Sequence, residues 1–203
     1  MSVDAPAPGT YRVADRSAVA FPDALDAWTS AAVAVLTARA RVYGTTVPYG
    51  ELARALFARS GIATRTLLHQ WIGDVLGRVA DVCADPANDH PPLTALVVRE
   101  ADGAVGAGYA DAVERHTGTR PADVEQHAAE ARLACYRALA RDLPADGGTA
   151  VRTGRVAGAA TTRQRAPRAT AAPKAVAPLP PPPPRCPTCH MELPRSGQCD
   201  MCD

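Results

Sequence analysis

After Asp146-Gly147-Gly148 the sequence all but runs out of large apolar side chains, and that break confines any packed core to the residues before it. Ala, Thr, Arg and Pro dominate from there to the prolines at 178 and 180–184. A stretch of this composition cannot bury enough apolar surface to offset the entropy of ordering it. Residues 147–185 therefore read as a disordered Pro-rich linker, stiffened towards polyproline II by the run 180–184. The organisation that follows is a flexible N-terminus over 1–21, a core over 22–146, the linker, and a C-terminal four-cysteine module over 186–203. With 47% hydrophobic residues, the 203-residue chain has enough apolar content for such a core.

Within the core, Leu25, Trp28, Ala32, Val33 and Leu36 recur at helical spacing after Pro22-Asp23, predicting a helix that ends near Gly44. Tyr49 to Ala58 predicts a second helix, closed by Ser60-Gly61. The stripe Leu68, Trp71, Ile72, Val75, Leu76, Val79 and Val82 predicts a third, from about Thr64 to Cys83. Asp85-Pro86 and Pro91-Pro92 bracket a loop. The short run from Leu93 to Val98, rich in β-branched residues, the turn Ala101-Asp102-Gly103 and the return Ala104 to Tyr109 predict a β-hairpin. Pro121, Asp123 and Glu125 suit the first turn of a last helix, whose face is Val124, Ala128, Ala131, Cys135 and Leu139 and whose end falls near Leu143-Pro144. The expected core is thus mainly α with a small β-hairpin, a winged-helix-like order.

Charge is uneven along the chain. Residues 150–185 hold seven basic side chains and no acid, so the remainder carries 15 basic against 21 acidic residues. The positive field belongs to the tail. Arg152, Arg155, Arg163, Arg165 and Arg168 are the candidates for phosphate contacts, which would act through counterion release. No basic n-region precedes an apolar segment at the N-terminus, and no apolar run approaches the roughly 18 residues of a membrane span. The expectation is a cytoplasmic protein with no membrane partner.

The cysteines divide sharply. Cys83 and Cys135 stand alone in apolar surroundings, as small buried hydrophobes do. Cys186, Cys189, Cys199 and Cys202 form two Cys-x-x-Cys pairs with nine residues between them. Each such turn presents both sulfurs on one side, so four thiolates can close a tetrahedral site around one structural Zn2+. The module offers little apolar core beyond Met191 and Leu193, so metal binding would supply its folding energy. His190 beside Cys189 reads as a surface or outer-sphere residue. A zinc ribbon of this kind binds protein or nucleic acid, and its spacing does not choose between them.

Three stretches carry a family resemblance. Thr46-Val47-Pro48-Tyr49-Gly50-Glu51-Leu52-Ala53 resembles the segment that opens the DNA-binding half of alkylguanine-DNA alkyltransferases and alkyltransferase-like proteins. Ile72-Gly73-Asp74-Val75-Leu76-Gly77 is similar to their recognition-helix stretch, and Val97-Val98 with Asp102-Gly103 and Gly108-Tyr109 to the segment after their active site. The resemblance spans about residues 45–109 and implies a winged-helix domain, for which DNA binding is a frequent use. Where the family has Pro-Cys-His-Arg before the paired valines, this chain has Leu93-Thr94-Ala95-Leu96, so the alkyl-accepting cysteine is replaced. The arginine that the family inserts into the duplex would fall near Gln70, making Gln70 the candidate for positioning the third helix on DNA.

Other chemistry is sparse. Asp111, Glu114, Arg115 and His116 gather acids and an imidazole that could trade protons, at a spacing that equally suits a solvated helix face. His69 could touch phosphates or bases; His90 and His127 read as surface residues. No glycine-rich dinucleotide loop, Walker loop, serine nucleophile elbow or His-Glu-x-x-His pattern occurs. The expected function is a non-enzymatic, zinc-binding, DNA-binding or regulatory protein. The alternatives are a protein-interaction adaptor using the Pro-rich linker and zinc module, and an enzyme using the acids around His116.

The cysteine spacing generates a direct test. Purified under reducing conditions without chelator, the protein is expected to carry about one zinc per chain, and Cys199→Ser to lose it while the helical circular-dichroism signal of the core stays nearly unchanged. Metal analysis showing no zinc in the unaltered protein would refute the four-thiolate site.

Overall fold

Pro22 in the first turn and Asp23 near the positive end of the helix dipole start α1, Phe21–Ala40. Its apolar stripe buries Ala24, Leu25, Trp28, Ala32 and Leu36. The computed structural model describes residues 9–154, and these contain five α-helices and four short strands. Next come β2, Val47–Pro48, and α2, Tyr49–Ser60, which ends on Gly61 in the left-handed region (φ 67°). The strand β3, Ile62–Thr64, and a 3-10 turn, Leu68–Gln70, lead to α3, Ile72–Ala84. Another 3-10 turn, Leu93–Leu96, precedes β4, Val97–Val98, which pairs parallel with β2. The described chain closes with α4, Ala107–Thr117, and α5, Val124–Leu139.

One cluster joins α1, α2 and α3. Trp28 is fully buried, its indole N–H donates to the Ile62 carbonyl at 3.0 Å, and its ring lies 4.6 Å from that of Trp71. Phe57 of α2 stacks on Trp71 at 5.5 Å. Aromatic contacts at this separation stabilise beyond their buried area.

Three expectations are corrected. First, the N-terminal stretch read as flexible contains β1, Thr10–Arg12, paired antiparallel with β3. The Asp15 carboxylate accepts hydrogen bonds from the backbone and side chain of Ser17, and Arg16 and Arg65 both lie over the Tyr11 ring. Second, the third helix begins at Ile72 rather than Thr64, because the Thr64 hydroxyl donates to the Gly9 carbonyl and accepts from the Thr66 backbone N–H. Such side-chain bonds compete with helix formation. Third, the β-hairpin does not form. Leu93–Leu96 is a 3-10 turn, Val97–Val98 pairs with Val47–Pro48, and Ala107–Thr117 is helical. The return segment has a single β-branched residue before Gly106, too few to hold a strand. What remains of the hairpin is a tight turn in which Arg99 N–H donates to the Ala104 carbonyl and Gly103 takes φ 72°.

Residues 147–154, assigned to the linker by composition, lie against the core as a strap. Tyr43 brackets Thr149 through its hydroxyl, Arg137 donates to the Gly147 carbonyl, and Arg132 donates to the Val151 carbonyl. Arg152 is ion-paired with Asp123 at the start of α5 and bonded to Gln126. A side chain on Gly103 would collide with the Thr153 carbonyl, which shows how closely the strap meets the 99–104 turn. Residues 155–185 of the expected linker and the cysteine module over 186–203 lie outside the described residues.

The Gln126 backbone N–H, and then the Arg152 guanidinium, hold the Asp123 carboxyl below the usual carboxylate range. A depressed acid stabilises the state that depresses it above the ordinary carboxylate pKa, about 4, and loses that contribution as pH falls through the lowered value. Asp123→Asn is therefore expected to raise the rate of tryptic cleavage after Arg152 roughly tenfold at neutral pH, with α-helical content unchanged. Equal cleavage rates in the two proteins would show that the ion pair does not hold the strap.

Candidate functional site: a cleft between three helices

Tyr49 opens α2 directly after Pro48, which ends β2 and, with extended backbone, stands at the helix N-cap. The tyrosine side chain reaches across to the turn before α4, where a side-chain carbon at Gly106 would overlap its hydroxyl. Glycine at 106 is thus required by contact. Burial pushes the Tyr49 phenol up, opposed by a hydrogen bond with the Gly106 backbone and by the nearby Arg99 charge, so the group is a neutral donor.

Around Tyr49 lies a cleft of about 850 Å3, bounded by α3 and α4 and floored by Thr94 and Val97. Leu68, Ile72 and Leu76 supply apolar wall, while His69, Arg99, Asp111 and Arg115 supply polar and charged groups. Its size falls within the range of small-molecule pockets. Gly73 in α3 and Gly108 in α4 also line it. Neither has positive φ, and neither has an atom within 4 Å of the place a Cβ would take. Turn geometry and packing leave both free to carry a side chain, and glycine is the poorer helix former. Their shared consequence is open space in the cleft.

The residues singled out from sequence fall as follows. Gln70 is exposed at the end of the 3-10 turn and does not line the cleft, whereas its neighbours Leu68 and His69 do. Arg152 is paired with Asp123, and Arg155, Arg163, Arg165 and Arg168 lie outside the described residues, as do Cys186, Cys189, Cys199 and Cys202. Among the described residues no group of His, Cys, Asp and Glu is arranged to hold a metal. The acids near His116 are divided: Arg120 bridges Asp111 and Glu114, at 2.6 and 3.0 Å, while His116 and Arg115 face Asp81, at 3.0 and 3.5 Å. This is an ion-pair lattice on an exposed helix face. Cys83 is half-buried and Cys135 fully buried, and burial pushes both thiols up, Cys135 to about 12. Both thiols therefore stay protonated and unreactive.

Sequence reasoning missed Arg132. It is 2% exposed, and one arm of its guanidinium donates to the Ala95 carbonyl at 3.1 Å, the other to Val151 at 3.4 Å. Burial lowers its pKa, partly offset by Glu125. Arg132 thereby joins the strap to the 3-10 turn that carries Thr94 into the cleft. Its place on the Ala128, Ala131, Cys135 stripe was the available signal.

No helix among the described residues is long and apolar enough to cross a membrane. No protein-family model, curated protein or solved structure matches the chain.

Proposed function

We propose that this is a non-enzymatic DNA-binding protein whose cleft receives an unstacked base and whose arginine-rich segment engages phosphates, with a structural zinc module at its C-terminal end. The observation that carries this reading is convergence. Tyr49, Ile72, Gly73, Gly77, Val97, Gly108 and Tyr109 come from the three separate stretches that resemble the alkyltransferase DNA-binding half, and all of them line one cleft. Thr94, from the stretch that replaces Pro-Cys-His-Arg, lines it too. The reading retains three helices of a winged-helix-like order, with the 99–104 turn in place of a wing.

The chemistry fits binding without transfer. A threonine hydroxyl lacks the acidity of a thiol and stands where the resemblance would place the acceptor, so the proposed role is recognition. A base has two apolar faces and a polar edge; the cleft offers apolar walls and the donors Tyr49, His69 and Arg99. The strap packs Thr153 and Gly154 against the 99–104 turn. Since Arg152 is occupied by Asp123, the phosphate contacts fall to Arg155, Arg163, Arg165 and Arg168.

Electrophoretic mobility shifts over a salt series test this. Neutralising those four arginines is expected to weaken binding to every duplex alike and to flatten the salt dependence by up to about 3.6 units of slope, at about 0.9 per phosphate contact. Gln70→Ala is expected to have a smaller effect and leave the slope alone. Gly73→Leu, whose Cβ would meet no neighbouring side chain within 4 Å and whose longer chain would take up cleft space, is expected to keep the slope and lose preference for a duplex with a mismatched base. Absence of any retardation of single- or double-stranded DNA at low salt would overturn the proposal in favour of the adaptor reading.

A further inference from the structure

Outside the arginine-rich segment, positive charge gathers at the N-terminal end of the described chain. β1 pairs with β3, with Tyr11 opposite Ala63, and the chain turns back after β1 so that Ala18 bridges to Tyr11 on its other side. Residues far apart in sequence thus meet at one ring. The Arg16 guanidinium lies 5.0 Å from the centroid of Tyr11 and the Arg65 guanidinium 5.9 Å from it. The ring attracts each cation, while the two like charges oppose one another. Among the described residues neither arginine forms an ion pair. Asp15, the carboxylate of the same turn, is taken by the Ser17 hydroxyl at 2.7 Å and the Ser17 backbone N–H at 3.0 Å.

Both side chains leave from fixed backbone. Arg65 N–H donates to the Gly9 carbonyl at 2.8 Å, and Arg16 N–H donates to the Arg12 carbonyl at 3.0 Å in a turn that holds Arg16 at φ 63°. That region favours glycine, so the turn carries a guanidinium against its own backbone preference. Two exposed guanidiniums without a carboxylate partner suit an anion with several oxygens, since each planar fork engages phosphate through paired N–H groups. Position selects which phosphate. Leu68 and His69 of the cleft wall follow Arg65 closely in the chain, and three residues reach at most about 11 Å. Each strand of a duplex carries one charge per about 3.4 Å of axis, so a strand that gives a base to the cleft has neighbouring phosphates within that reach.

We propose that Arg16 and Arg65, positioned by the Tyr11 ring, form a phosphate clamp for the strand whose base enters the cleft, an inference that rests on the DNA-binding reading. Mobility shifts of a mismatched duplex over a salt series, with full-length protein, test it. Arg16→Gly with Arg65→Gln is expected to flatten the salt dependence by about 1.8 units of slope, at about 0.9 per contact. Glycine takes φ 63° without strain, so the turn survives and circular dichroism is expected to be unchanged. Arg41→Gln with Arg141→Gln, an exposed pair just after α1 and α5 joined through their backbones, removes the same charge and is expected to leave the slope alone. Tyr11→Leu keeps both charges and is expected to weaken binding severalfold. An unchanged slope in Arg16→Gly/Arg65→Gln while DNA is still retarded, or equal flattening by the two pairs, would overturn the clamp and leave the DNA-binding reading standing. Unchanged binding by Tyr11→Leu would overturn the part given to the ring. Saturable shifts of the Arg16 and Arg65 side-chain NMR signals with inorganic phosphate, at an unchanged DNA slope, would make this a small-anion site instead. Absence of DNA retardation by the unaltered chain would overturn both readings.

Discussion

The indole of Trp28 is the contact on which the placement of every functional group depends. It sits at the centre of α1, donates to the Ile62 carbonyl, and packs ring to ring against Trp71. Ile62 belongs to β3, and Trp71 immediately precedes α3, so one side chain fixes both the strand and the start of the helix that bounds the cleft. Truncating a buried tryptophan typically costs about 3–5 kcal/mol, a large share of the stability of a domain this size. The cleft is therefore positioned by the aromatic core and opened by the absence of side chains at its own edge.

That absence takes two physical forms. At Gly106 the missing Cβ makes room for the Tyr49 hydroxyl, so the glycine serves packing. At Gly73 and Gly108 nothing stands where a side chain would go, so the glycines serve the empty volume. Behind the cleft, Arg132 holds the carbonyls of Ala95 and Val151 together, tying the strap and the 3-10 turn into one unit. A buried guanidinium satisfied by carbonyls alone stabilises only while both acceptors remain in place, since losing them would strand a charge in the interior. The strap and the cleft floor are coupled through this side chain.

The sequence carried the helices well where an apolar stripe of large residues ran at helical spacing, as in α1 and α3, or where a proline marked the start, as in α2. It carried α4 poorly, because Ala107, Gly108, Ala110 and Ala112 are small and leave Tyr109 and Val113 as the only large members of the stripe. It did not reveal β1, whose partner β3 is far along the chain and whose residues show no alternation of their own. The strap was invisible for a related reason: residues 147–154 are held by hydrogen bonds and one ion pair, and composition registers only the apolar surface they lack. Of the two polar neighbours on the 3-10 turn, His69 lines the cleft and Gln70 does not, a difference set by the turn that precedes α3 and not legible in the spacing of the stripe.

The central claim, that the cleft between α2, α3 and α4 takes a base out of the stack, is tested most directly by the fluorescence of a duplex carrying a single 2-aminopurine. A several-fold rise in emission is expected on saturation with full-length protein, because unstacking relieves quenching, and no rise with Gly73→Leu even where that variant binds the duplex equally tightly. Saturated binding with unchanged emission, or the same rise with Gly73→Leu as with the unaltered chain, would contradict it.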